Sequence, residues 1–340
     1  MLGRLILSLF AALATATATA AVAKPLVVIL AEPRGTVPAD LMNPYAILSE
    51  SGAVDVRVVS PTRGLIRLAP GHAWLAPQLT TAELRRRPDV VILPAMEPQA
   101  EDDPARAAWL RAQVKAGARI LVICNGARAF ANTGLLDGRQ AAVHWFSHKK
   151  MVKAHPKVVW RRDRRWITDG PITTTTGISA AEPATLHILE ELAGRDVMLA
   201  TAARLKLPPP DPRHRGSDYR LTLKGMGLTV ANVASFWGRE DVALPIAPGF
   251  DERALGAALD GWSRTYRSRA WVTGAPVTRS RHGLFVYRSQ YLPPFDRRVA
   301  LPAPEVTAST FAQIRKAYGE RTARFVALQF EHPWGAVTAW

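Results

Sequence analysis

Three short runs of uninterrupted apolar, mostly β-branched residues set the limits on what this chain can become. They are Leu26-Val27-Val28-Ile29-Leu30, Val90-Val91-Ile92-Leu93 and Ile120-Leu121-Val122-Ile123. A strand with one wet face alternates in hydropathy, so unbroken runs of this length predict strands buried on both faces. Between them lie segments with helical spacing. Asp40 to Ser51 repeats its apolar positions at Leu41, Tyr45 and Leu48 and stops at Gly52, and Asp103 to Ala116 stops at Gly117. Val54 to Val59 is interrupted by Asp55 and Arg57, which predicts a strand with a more exposed face. Strands that alternate with helices imply right-handed crossovers and a mainly parallel sheet covered on both sides.

The same unit continues through Ile172 to Thr175 as a strand and Ala180 to Leu192 as a helix. Pro208-Pro209-Pro210-Asp211-Pro212 then breaks the pattern, and residues 208–218 are expected to link two units. Beyond the break, Asp241 to Ile246, Glu252 to Trp262 and Arg269 to Thr273 read as strand, helix and strand. That order echoes the start of the chain, as does Arg281-His282-Gly283-Leu284 set against Arg63-Gly64-Leu65-Ile66. Residues 219–340 are therefore expected to be a partial, degenerate repeat of the unit in residues 24–207, a chance likeness of generic βαβ patterns being the alternative. A last helix is expected around Thr310 to Tyr318.

The N-terminus carries a different signal. Met1 to Arg4 is a short positive start, Leu5 to Leu13 is apolar, and Ala21-Val22-Ala23 ends a Thr/Ala stretch. This predicts a signal peptide over residues 1–23 and a periplasmic or secreted mature chain; an uncleaved anchor is the alternative, but the apolar core is short for a span. The formal charge of +16 and the cluster Arg161-Arg162-Asp163-Arg164-Arg165 suggest nucleic acid in a cytosolic protein. No helix-turn-helix or zinc pattern accompanies them, so a solvated basic surface is expected, with no nucleic-acid partner. The eight histidines form no helical metal-ligand pair, and no phosphate loop or dinucleotide fingerprint is present, so no metal or cofactor is expected.

Chemistry concentrates on the one cysteine. Cys124 cannot form an internal disulfide, and it stands where the most apolar strand turns into a helix. Reactive groups of an open parallel sheet gather at such C-terminal strand ends, and a tight strand-to-helix turn pushes a side chain into the crevice. The helix N-terminus is expected to favour thiolate. An inert core cysteine is the alternative.

The segments Val122-Ile123-Cys124-Asn125-Gly126-Ala127, Thr133-Gly134-Leu135-Leu136-Asp137-Gly138-Arg139 and Val143-His144-Trp145 resemble the ThiJ/PfpI family of the class I glutamine-amidotransferase-like superfamily. The likeness, strongest to the amidase-like domain of AraC-type regulators, covers roughly residues 25–205 and lacks their DNA-binding module. Val91-Ile92-Leu93-Pro94, Thr175-Thr176-Gly177-Ile178-Ser179-Ala180 and Asp40-Leu41-Met42-Asn43-Pro44 extend it. The resemblance implies a flavodoxin-like, doubly wound α/β domain with a second, partial α/β unit. It implies that Cys124 is an elbow nucleophile, that Asp40 is the carboxyl facing its sulfur, and that His144, on the next strand, assists proton transfer. Ala95, Asn125, Gly126, Thr176 and Gly177 would surround the ligand. A carboxyl crowded against a thiolate should hold its proton, and the pair should titrate as a unit. Asp40 also stands where a helix N-cap would stand.

Two departures matter. Peptidase-like members place His after the cysteine, where this chain has Asn125, which counts against proteolysis. The family's Leu-Pro-Gly-Gly turn is Leu93-Pro94-Ala95-Met96 here, and Ala resists the positive φ that Gly permits. Three readings follow: a cysteine-dependent hydrolase, lyase or hydratase acting on a small electrophile; a non-catalytic small-ligand sensor; or a redox protein built on Cys124 oxidation. The expected partner is a small molecule, and the expected assembly is a single-chain pseudo-dimer or a homodimer.

Overall fold

The computed structural model describes residues 23–97, 102–222, 238–303 and 305–337, so the expected signal peptide lies outside the described residues, apart from Ala23. The strands and helices of the first unit are β1 (Leu26–Leu30), α1 (Pro38–Ser51), β2 (Asp55–Ser60), β3 (Ile66–Leu68), β4 (Ala73–Leu75), β5 (Leu79–Thr80), β6 (Val90–Leu93), α2 (Pro104–Lys115), β7 (Arg119–Val122), α3 (Gly126–Ala131), β8 (Gln140–Ala141), α4 (His148–Ala154), β9 (Val159–Trp160), β10 (Trp166–Asp169), β11 (Ile172–Thr175), α5 (Ala181–Ala193) and α6 (Arg195–Arg204). A seven-stranded sheet runs β10-β11-β7-β6-β1-β2-β5, parallel throughout except for β10 against β11.

The unbroken apolar runs have the cause their pattern predicts. In β1, Val27 and Ile29 join a core with α1 and α5, while Leu26, Val28 and Leu30 join a second core with Leu110 of α2, Phe130 of α3 and Met151 of α4. Both faces of the strand are dry, so no position in it tolerates a polar side chain. This is the doubly wound arrangement, and it sets the C-terminal ends of β1, β6 and β7 side by side.

The remaining elements are β12 (Glu240–Pro245), α7 (Glu252–Ser263), β13 (Ser268–Thr273), β14 (Val277–Arg279), β15 (Phe285–Arg288), β16 (Arg297–Arg298) and α8 (Val306–Gln329). β12 lies between β13 and β16, parallel to both, as β1 lies between β2 and β6. β14 and β15 pair antiparallel and continue through β4 to β3 in one four-stranded sheet built from both halves. Thr36 bridges Leu68 just before α1, and Phe250 bridges Ser280 just before α7. In this topology residues 281–284 link β14 to β15 and so correspond to the β3–β4 turn at 69–72. They do not match residues 63–66, with which the sequence pattern aligned them: the arginine-glycine motif is a generic turn composition.

α1 and α7 pack against each other at close range. A Cβ on Gly256 would stand 3.1 Å from the Ala39 Cα and 3.3 Å from the Pro38 carbonyl oxygen, so a side chain there would push the two backbones apart by a few tenths of an ångström. The first-unit core extends through Leu255, Leu259 and Trp262 of α7 to Phe311 and Ile314 of α8. The proline-rich segment is laid along this body: Arg213 bridges Arg164, and the His214 side chain, 4% exposed, bonds Glu331. α8 runs well past the expected Tyr318, with a break at Gly319, where φ is +83°. None of the described helices is long and apolar enough to cross a membrane.

Candidate functional site

β7 delivers Cys124 to the mouth of a cavity of about 600 Å³ between the two units. Its φ is +56°, a left-handed conformation uncommon for any residue but glycine. The Thr175 hydroxyl oxygen, at the end of β11, accepts the Cys124 N–H at 3.1 Å, and α3 begins two residues later. Gly126 serves this turn as a packing residue. A Cβ on it would fall 2.7 Å from the Leu93 carbonyl oxygen and 2.9 Å from that of Pro94, so α3 reaches the β6 end only without a side chain there.

The thiol does not follow the expected electrostatics. Burial pushes it well above its ordinary value and the charge of Asp40 pushes it further, while Arg264 and the Asn125 backbone hydrogen bond act the other way. α3 has six residues, and so short a helix offers too small a dipole to offset the loss of water.

Asp40 is fully buried in the first turn of α1 but does not cap it; the cap position is Val37. One carboxylate oxygen, Oδ2, accepts the Ala95 N–H at 3.2 Å, and Oδ1 has no hydrogen-bond partner among the described residues. Burial and the charge of Asp260 raise its pKa to about 7, against the opposing pull of Ala95 and Arg264. The Ala95 amide, which the departure from the Gly-Gly turn had put in doubt as an oxyanion donor, is thus engaged with a carboxylate, and its carbonyl accepts the Val37 N–H.

His144 lies three residues beyond β8, in a loop, where a strand position was expected. Its Nε2 bonds the Gln329 carbonyl oxygen at 2.9 Å and its Nδ1 accepts the Phe146 N–H at 3.3 Å. That pattern fixes the neutral tautomer with the proton on Nε2, and burial lowers the pKa further. With both nitrogens occupied by backbone, the ring is a strut of the cavity wall and not an available base. Asn125 lines the cavity with its Oδ1 unpartnered among the described residues. Thr176 and Gly177 stand outside the lining. Gly177 instead makes room for the buried Glu331, whose Cβ would lie 2.4 Å from any Cβ added there.

The opposite wall comes from the second unit, which was not expected to contribute to the site. Arg264 and Tyr266, from the turn between α7 and β13, and Phe325 and Gln329, from α8, face the cysteine across the cavity. Asp260 is fully buried on α7. It accepts the Ala39 N–H of α1 at 2.8 Å through Oδ2 and the Arg264 Nε–H at 3.2 Å through Oδ1. The N-terminus of α1 is therefore capped from the other unit. Burial alone would lower the Arg264 guanidinium, but Asp260 and Glu97 hold it above its ordinary value. Asp260 itself is raised to about 6 by burial, with Arg264 and Ala39 opposing. Of the four non-glycine residues with positive φ among the described residues, Cys124, Tyr266 and Glu331 lie in or beside this cavity, a clustering typical of functional sites. The spacing of Asp260 and Arg264 on one helical face was the one available signal of this wall.

Comparison with known proteins gives the arrangement a context. Residues 26–191 match the model of the DJ-1/PfpI family. Isonitrile hydratase of Pseudomonas putida is 27% identical over 181 residues, covering 52% of this chain and 77% of the relative. The HTH-type transcriptional regulator GbdR of Pseudomonas aeruginosa is 34% identical over 92 residues, covering 27% of this chain and only 25% of the regulator. A ThiJ/PfpI family protein from Pseudomonas syringae superposes with a TM-score of 0.52 at 21% identity, over 63% of this chain and 87% of that one, which shows the shared fold.

Proposed function

Because residues 26–191 form a DJ-1/PfpI family domain, we propose that the chain catalyses cysteine-dependent addition of water to a small electrophilic carbon, with Cys124 as nucleophile and Asp40 as its proton partner. The observation that carries this reading is the carboxyl of Asp40: it is buried, held at one oxygen by Ala95, unpartnered at the other among the described residues, and coupled to the sulfur. The two groups are expected to titrate as a pair. Its singly ionised form includes a thiolate beside a carboxylic acid, and that form both attacks and donates a proton.

The site favours some electrophiles over others. The Ala95 N–H is committed to Asp40, so an acyl-transfer oxyanion would lack that donor. An isonitrile carbon needs no oxyanion hole. The sulfur bonds to the terminal carbon while the Asp40 proton passes to the same carbon, giving a thioimidate. Water adds its oxygen to that carbon and a proton to nitrogen. The C–S bond then breaks, the hydroxyl proton returns to Asp40, and a formamide leaves with the thiolate restored. The relative that carries the name isonitrile hydratase supports this class of substrate. The test is a turnover panel of small isonitriles, aldehydes and amides: Cys124→Ala and Asp40→Asn should each abolish activity on the preferred class, and activity that survives Cys124→Ala defeats the proposal.

A second reading is a ligand-binding domain without turnover, favoured by the raised thiol and by the lack of a free base at His144. It requires that Cys124→Ser bind the ligand as tightly as the wild type. We also propose that residues 1–23 direct export and that the two units act as a single-chain pseudo-dimer. Periplasmic protein beginning at Lys24 and a monomeric mass by light scattering are the expected results; a cytoplasmic chain that retains residue 1, or an obligate dimer, would contradict them.

A further inference from the structure

The cation on the second-unit wall has one guanidinium nitrogen to spare. Arg264 Nε and Nη2 both reach Asp260 Oδ1 at 3.2 Å, and Nη2 meets Glu97 Oε2 at a long 3.5 Å, but Nη1 has no acceptor among the described residues. The side chain is 17% exposed, and it faces the cavity that holds Cys124. Glu97 is 44% exposed, so its contact is weak and easily displaced. Asp260 is fully buried and fixes the guanidinium plane from behind. A planar, pre-oriented guanidinium with a free edge in a partly dry cavity matches a carboxylate, which can accept two parallel N–H bonds. Tyr266, held at φ +58° two residues on, and Phe325 line the same cavity with rings 5.7 Å apart. Arg128 adds a second guanidinium to the lining, so positive groups outnumber the one exposed carboxylate there.

We propose that Arg264 is a carboxylate anchor: the molecule presented to Cys124 is a small electrophile bearing a carboxylate, which displaces Glu97 and takes the Nη1–Nη2 edge. The anchor comes from the second unit while the nucleophile comes from the first, so the second unit selects the substrate. This assignment rests on the reading of Cys124 as a reactive thiol, and its test separates the two.

Iodoacetate and iodoacetamide are nearly equal in size, carry a carboxylate or a neutral amide, and react with the same thiolate, the C–S bond forming as iodide leaves. Their rate ratio on Cys124, set against the ratio for free cysteine in the same buffer, reads the anchor without any turnover. The anchor predicts an iodoacetate-to-iodoacetamide ratio about tenfold or more above that of free cysteine. Arg264→Gln should return the ratio to the free value. Because that variant strips a buried Asp260 of its partner and risks misfolding, Glu97→Gln provides the second arm. It alters a half-exposed side chain, removes the competing carboxylate, and should raise the ratio about twofold to fivefold. A wild-type ratio equal to that of free cysteine, or one unmoved by Glu97→Gln, overturns the anchor while leaving the reactive cysteine in place. Cys124 that reacts with neither reagent overturns both.

Discussion

Two regions of the molecule order their strands alike yet contribute different residues to the cavity. In each, a central strand lies between two parallel neighbours and a helix follows it: β2-β1-β6 with α1, and β13-β12-β16 with α7. The first unit continues to β7 and β11, and so creates the strand end that presents Cys124. The second has no described counterpart of those strands and contributes instead the α7–β13 turn with Arg264 and Tyr266. A like strand order does not therefore imply a like site. The difference lies at the edges of the sheet, and the cavity forms because the unlike edges face each other.

The comparison breaks most sharply at the nucleophile. Cys124→Ala should reduce turnover by about a thousandfold or more while leaving the unfolding midpoint nearly unchanged, checked by steady-state kinetics beside urea denaturation. The contact between units comes next. Asp260 caps α1 across the interface and neutralises a mostly buried arginine, so Asp260→Ala should cost about 3–5 kcal/mol. Asp251 caps α7 within its own unit, accepting from Arg253 and Ala254. Asp251→Ala should cost about 1 kcal/mol. Equal losses at the two caps would mean that the units do not depend on each other as described.

Protonation gives a third contrast. Asp40 and Asp260 have folded pKa values of about 7 and about 6, both above the ordinary aspartate value of 3.8. The folded state therefore binds more protons than the unfolded one, and the stability from these groups is complete below pH ~4 and declines as pH rises toward ~7. Asp40→Asn should flatten that decline, seen in unfolding free energies measured from pH 4 to 8. The smallest effect belongs to His144. Replacing it with Gln should cost about 1–2 kcal/mol through the lost Gln329 contact, yet leave the pH profile of Cys124 alkylation where it was.

Much of the first unit was legible because its strands are buried on both faces, which leaves short apolar runs that their length and β-branched content mark as strands. Ile172–Thr175 is a strand at its expected bounds, and α1, α2 and α5 lie within two residues of theirs. The short strands β3 and β4 were not legible. They are three residues each and owe their existence to β15, which lies more than two hundred residues away. At the site, the position of Cys124 at its turn followed from local pattern. The electrostatics did not, because desolvation depends on what covers a residue, and here the cover is the distant second unit. His144 shows the same limit: burial keeps it neutral, and the carbonyl of Gln329 and the amide of Phe146 set its tautomer. Long-range burial leaves no local mark.

The pairing of Cys124 with Asp40 is tested most directly by the pH dependence of Cys124 alkylation with iodoacetamide, in the wild type and in Asp40→Asn. A coupled pair predicts two steps in the wild type, the first near pH 7 and the second above the free-thiol range, with the first absent in Asp40→Asn. A single step at or below the pKa of a free cysteine, unchanged by Asp40→Asn, would contradict the account.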